Sequence, residues 1–141
     1  MIHDRSFADL TVGELYDILR LRAEVFVVEQ ECTYLDPDGR DTQAGTRHVW
    51  ISAEDGSIAS YLRVLEDPSE RRIGRVVTSA AARSAGLAAQ LLEHVLAEGR
   101  GPWVLDAQSP LVGWYARFGF VVDGAEFVED GIPHTPMRRP T

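Results

Sequence analysis

Residues 72–98 read RIGRVVTSAAARSAGLAAQLLEHVLAE, and this stretch decides the fold. Arg72 to Thr78 is rich in residues that favour an extended chain and reads as a long strand. From Leu87 the apolar residues recur at helical spacing: Leu87, Leu91 and Val95 share a face with Ala88, Leu92 and Leu96. That helix runs to about Glu98, where Gly99 can terminate it. Trp103 to Ala107 then reads as a short buried strand. A strand–helix–strand crossover implies parallel pairing of its two strands.

Working outward, the upstream segments add antiparallel pairing. Arg47 to Ala53 and Ile58 to Leu65 read as strands joined by the turn Glu54-Asp55-Gly56-Ser57. Thr11 followed by Glu14 is a capping box, so a helix starts near residue 12. Its apolar side carries Leu15, Ile18, Leu19 and Phe26, widened by Leu21, Val25 and Val28. Glu14, Asp17, Arg20 and Glu24 take the remainder. Glu29 to Gly45 is polar and holds Asp36-Pro37-Asp38-Gly39, which reads as a loop. Downstream, Leu111 to Arg117 is a short helix, Phe120 to Val122 a strand broken by Gly124, and His134 to Arg138 a last strand. The expected class is α/β (α+β): a mixed, mostly antiparallel sheet with helices on both faces.

The 141 residues, 45% hydrophobic, suit one domain spanning 1–141. Fourteen basic against 22 acidic residues give a net charge of -8, which disfavours nucleic acid and anionic membranes as partners. Cys32 is the sole cysteine, so no internal disulfide forms and no metal site is expected. The N-terminus lacks a signal-peptide pattern and no apolar run reaches membrane-span length. The expected location is the cytoplasm, as a monomer or homodimer.

Two segments carry chemistry. Arg83-Ser84-Ala85-Gly86-Leu87-Ala88 lies between a strand and a helix. A pyrophosphate needs outward backbone N–H donors, which a first helical turn supplies together with the positive end of its dipole. Gly86 and Ala88 permit close approach, and Arg83 adds a permanent charge. The same residues also suit an ordinary tight strand-to-helix turn. They match neither a Walker loop nor the Gly-x-Gly-x-x-Gly dinucleotide pattern. The second segment is Trp114-Tyr115-Ala116-Arg117-Phe118-Gly119-Phe120, where Gly119 can end a helix in the left-handed conformation. Tyr115 is then either a proton donor on a fixed helix or an amphipathic core residue.

Arg-x-x-Gly-x-Ala after a strand, with Tyr-x-x-x-Gly-Phe further on, resembles the signature regions of the GNAT N-acetyltransferases. Phe26 to Gln30, Cys32, Tyr34, Asp36, Asp38-Gly39, Asp41, Arg47-His48, Gly74 to Val77, Ala107-Gln108 and Glu129 to His134 resemble the ElaA-like branch of that superfamily. The resemblance runs from about residue 15 to Arg138. It implies the GNAT fold and acetyl transfer from acetyl-CoA, a cosubstrate, to an amine acceptor. Val76, Val77 and Thr78 would then bind the pantetheine arm through their backbone, and Arg83, Ser84, Ala85, Gly86, Leu87 and Ala88 the pyrophosphate. Tyr115 would protonate the departing thiolate. Ala88 stands where glycine is common, and Gln108 and Ser109 stand where many members carry an asparagine.

An amine of pKa about 10 attacks a thioester only when neutral, so a base must take its proton. The candidates are Glu29, Glu31, His48 and His134, or a water relayed to a carboxylate. Equally, His48 fits a hydrogen-bonded strand histidine, and His134 a turn residue after Pro133. The N–H of Val77 or Thr78 can stabilise the oxyanion. Direct attack needs no enzyme-bound intermediate, in agreement with the single thiol. Glu29, Glu31, Asp36, Asp38 and Asp41 form either an acidic rim for a cationic amine or a solvated loop; their spacing does not make a calcium loop. Arg47, Arg63 and Arg75 are candidate ion-pair partners. A non-catalytic acetyl-CoA-binding module is the alternative to an active enzyme, and a plain nucleotide-phosphate binder is a third reading.

Overall fold

The computed structural model describes residues 1–98 and 101–140. In chain order the strands are β1 (Ile2–Ser6), β2 (Arg47–Ser52), β3 (Ile58–Glu66), β4 (Arg71–Thr78), β5 (Trp103–Gln108), β6 (Val121–Val122), β7 (Phe127–Glu129) and β8 (Ile132–Arg139). The helices are α1 (Val12–Arg22), α2 (Leu87–Leu96) and α3 (Val112–Ala116). The strands form one sheet in the order β1-β2-β3-β4-β5-β8-β6, with β7 also paired to β8. Among the described residues only the β4–β5 ladder is parallel. The expected mixed, mostly antiparallel sheet is present.

Helices cover both faces, as strand alternation requires. Val49, Ile51, Leu62 and Val64 pack against Leu91, Leu92, Val95 and Leu96 of α2. Trp50 and Tyr61 turn the other way, onto Ile18, Leu21 and Val25 of the first helix. Residues Ile58 to Leu65 of β3 are therefore all buried, polar Ser60 and Arg63 included. Each large apolar side chain placed this way contributes about 1.5–3 kcal/mol.

The capping box forms as expected: Glu14 N–H donates to Thr11 Oγ1 at 3.0 Å, and Thr11 N–H to Glu14 Oε1 at 2.9 Å. The helix does not stop at Arg22. It widens into a π-helical segment, Ala23–Glu29, in which Gln30 N–H donates to Val25 O. Strands β1 and β7 were not expected. Ile2–Ser6 lacks apolar alternation because it joins the sheet edge through its backbone and through His3 and Arg5, which lie over Trp50. Phe127–Glu129 is too short to show a period. The proposed helix stop at Gly99 lies outside the described residues. No helix among the described residues is long and apolar enough to cross a membrane.

Two irregularities of β4 open the sheet. β5 pairs with it only at Arg71↔Trp103 and Arg72↔Val104, and beyond that ladder the strands diverge. Against β3 the register passes from Arg63↔Gly74 to Tyr61↔Val77, two residues opposite three. The extra residue is a bulge, with Arg75 in the left-handed region at φ 53°. Bulges commonly re-aim a strand beside a site.

Candidate active site

The divergence of β4 and β5 leaves two cavities, of about 640 and 450 Å³. They share a wall made of Val76, Val77, Thr78, Arg83, Leu111 and Tyr115. Ser84, Gly86, Leu87 and Ala88 line the smaller one. Glu29, Gln108 and His134 line the larger. The structure therefore brings most of the anticipated residues together, whereas Ala85 and His48 line neither cavity.

The smaller cavity is built from backbone. Gly86 precedes α2 at φ 75°, and a Cβ there would meet nothing within 4 Å. No side chain caps this helix, so its first N–H groups are left to solvent or a ligand. Ser79 N–H donates to Ala59 O on β3. By strand alternation Thr78 then directs its N–H and C=O to the opposite, unpaired side. Its carbonyl there accepts Arg83 Nε at 3.3 Å. Val77 O instead faces β3 and accepts from Ser60 Oγ.

Arg83 also grips Glu29 through two hydrogen bonds of 2.7 Å each. These bonds hold the Glu29 carboxyl below its usual pKa and the Arg83 guanidinium above its own. Glu29 stands at the end of the π-helical segment, so this pair ties that segment to the loop before α2.

Tyr115 sits on α3, which Gly119 ends at φ 93°. Its ring packs edge-on to Trp114 and Phe120. The residue is 6% exposed, and burial pushes its phenol up to about 12. Among the described residues its hydroxyl has no hydrogen-bond partner.

The two histidines differ. His134 Nδ1 lies 2.8 Å from Ile132 O. A carbonyl only accepts, so Nδ1 carries a proton, and in the neutral ring the lone pair lies on Nε2. The ring stacks on Phe127. His48 is fully buried, with Nε2 3.0 Å from Asp41 O and Nδ1 2.7 Å from Tyr61 Oη. Here Nε2–H donates to the carbonyl and Nδ1 accepts from the tyrosine. Burial pulls the His48 pKa down, and neither nitrogen is left for a substrate. The histidine expected as a candidate base is a core residue.

The acidic loop divides in two: Glu29, Glu31 and Asp38 are exposed, whereas Asp36 and Asp41 are not. Asp36 and Asp41 are buried, and Arg22 reaches both, at 2.8 and 2.6 Å. Arg63 binds Asp38 at 2.8 Å and Asp41 at 3.1 Å. Arg75 meets Asp36 at 2.8 Å and lies over the Tyr34 ring. Burial alone would raise the Asp38 and Asp41 pKa values, but Arg63 and Arg22 hold both below the usual range. Three arginines thus balance three aspartates, which makes burial tolerable. This cluster fixes the loop that carries Cys32, Tyr34, Leu35 and Asp38 into the wall of the larger cavity. Arg63 and Arg75 act as the ion-pair partners expected of them, and Arg47 pairs with Asp4 and Glu98.

Arg22 itself was not anticipated, although a signal exists. It lies four residues after Ile18 and three before Val25, on the apolar stripe of its helix. Cys32 and Asp130 were also missed as a pair: the thiol donates to Asp130 O at 3.2 Å across 98 positions.

Residues 23–140 match the acetyltransferase (GNAT) domain family. The chain is 50% identical over 137 residues to a UPF0039 protein of Mycobacterium tuberculosis, covering 94% of this chain and 88% of that one. It is 36% identical to protein ElaA of Escherichia coli, over 96% and 94% of the two chains. Among solved structures, an acyl-CoA N-acyltransferase from Pseudomonas aeruginosa superposes with a TM-score of 0.92 at 43% identity, and Escherichia coli ElaA with 0.92 at 36%. Each of these alignments covers 99% of both chains. With its split sheet, its bulged β4 and the matched residues 23–140, the chain belongs to the GNAT acetyltransferase family, as an ElaA-like member.

Proposed function

We propose that the chain is an acetyl-CoA-dependent N-acetyltransferase acting on a free amine in a ternary complex. The observation that carries this reading is the Tyr115 hydroxyl: unpartnered, on a buried side chain, and on the wall shared by both cavities. Acetyl-CoA would supply an acyl group activated as a thioester. The residues fit such a donor. The open backbone at Gly86, the uncapped start of α2 and the Arg83 charge suit a pyrophosphate. Val76 and Thr78 on the unpaired flank of β4 suit an extended amide arm.

The remaining residues take roles by their protonation. Tyr115, neutral at any physiological pH, donates its proton to the leaving sulfur. Thr78 N–H, aimed away from β3, stabilises the oxyanion. His134 Nε2, with its free lone pair, takes the amine proton directly or through water. Glu29 is bound by Arg83, which leaves it a lesser base. The protein would act in the cytoplasm, with no metal.

Two measurements test this. Acetyl-CoA at about a hundred times its Kd should stabilise the fold by about 2.7 kcal/mol in thermal unfolding, while ATP should not. Tyr115→Phe should lower kcat by about a hundredfold or more, yet leave stability nearly unchanged because its hydroxyl bonds nothing. Undiminished turnover in that variant would remove Tyr115 from the mechanism. Binding without turnover in the parent chain would favour the sensor reading.

A further inference from the structure

We infer that the acceptor is a dication: an amine whose far end carries a second positive charge, received by Glu129 and Asp130 at the tip of the β7–β8 hairpin. The inference rests on the acyl-transfer reading and adds a substrate class to it.

The arginines of the larger cavity are already matched. Arg63 pairs with Asp38 and Asp41, Arg72 with Glu70 and Asp106, Arg75 with Asp36 and Asp38, and Arg83 with Glu29. The same bridges occupy Asp38, Asp106 and Glu29. Among the described residues, the formally charged groups of that wall without an ion-pair partner are the carboxylates of Glu129 and Asp130. A cavity with that residual charge favours a cation, and the net charge of -8 adds to the attraction. An unpartnered polar group points to a ligand independently: the Tyr115 hydroxyl, on a side chain more than nine-tenths buried, lines the same cavity.

The hairpin supplies the spacing. Glu129 lies opposite Ile132, and Phe127 opposite His134. Directly opposed residues project from one face of an antiparallel pair, so Glu129 shares a face with His134. They stand two residues apart along the ladder, about 7 Å at the usual strand rise. An amine whose proton goes to His134 Nε2 can therefore extend a second cation to Glu129. Asp130, in the left-handed region at φ 52°, forms the turn itself, and the Cys32 thiol holds its carbonyl. The hairpin tip that bears the two carboxylates is thus tied to the loop that carries Cys32.

The test compares a linear five-carbon diamine with the monoamine of equal length, using acetyl-CoA as donor. The parent chain should favour the diamine in kcat/KM by roughly three- to tenfold, mainly through KM, since two exposed charge pairs are worth that much. The preference should shrink in roughly 0.5 M salt. Glu129→Gln combined with Asp130→Asn should bring the ratio to about one; asparagine keeps the tolerance for positive φ. Glu129→Lys should push the ratio below one, and Glu54→Gln on the exposed β2–β3 turn should leave it alone. A parent ratio near one, or a ratio unmoved in the double variant, overturns the dication while amine acetylation stands. Transfer to neither amine also overturns it; if acetyl-CoA still raises the unfolding temperature, the donor half of the earlier reading survives.

Discussion

The two sides of the cleft are built by different physics. The side formed by Val76 to Thr78 and Arg83 to Ala88 is contiguous chain, made of backbone donors, small residues and one arginine. The opposite side joins Arg22, Asp36, Asp38, Asp41, Arg63 and Arg75 from four separate segments into a largely buried, charge-balanced cluster. Backbone geometry of the first kind survives most side-chain changes. Paired charges of the second kind do not, because losing one partner strands the other away from water. The wall proposed for the donor should tolerate substitution, while the wall proposed for the acceptor should fail as a unit.

The sharpest way to break this contrast is Arg22→Met. It keeps the volume of the stem but leaves Asp36 and Asp41 short of their shared cation, at a cost of about 3–5 kcal/mol. Urea unfolding would read this as a large drop in midpoint. A loss below about 1 kcal/mol would mean that Arg63 and Arg75 can hold the loop alone.

A smaller effect separates the same cluster by pH. His48 is held neutral, with a folded pKa below its ordinary 6.5. The unfolded chain takes up this proton first as pH falls. The stability contributed by the neutral ring is therefore complete above pH 6.5 and is lost as pH drops through the range below it. The slope is at most about 1.4 kcal/mol per pH unit. His48→Gln should flatten that part of the stability–pH curve relative to the parent. Identical slopes would show that His48 does not titrate differently in the two states.

The smallest effect belongs to the donor side. Glu29→Gln removes the exposed partner that competes for Arg83, so CoA binding should tighten, by no more than about fivefold. Calorimetric titration of both proteins reads this directly. Weaker binding would instead make Glu29 a part of the donor site.

Much of the fold was legible because its signals are local. The Thr11–Glu14 box, the Leu91–Val95 stripe and the left-handed Gly119 each involve residues within one or two helical turns. The edge strand Ile2–Ser6 was not legible, since an edge held by backbone pairing and aromatic stacking needs no apolar alternation. At the site, Tyr115 and the Arg83 loop could be named from neighbours in sequence. The separation of His48 from His134 could not. Both are histidines in predicted strands, and only packing encloses one beneath the α1 helix while leaving the other on the cavity wall.

What the sequence by itself determined was the order of the elements between the first helix and the last strand, apart from the short β7, together with the parallel crossover, the strand–loop–helix around Arg83 and the helix that carries Tyr115. Each follows from preferences felt over a few residues: helical period, capping, positive φ. Only the tertiary structure decided that Arg22 faces inward, that the aspartates of the loop are paired, and that Glu129 and Asp130 are the carboxylates left over. A charge chooses its partner through space, among segments that the chain brings together from tens of residues away, and no local pattern records that choice.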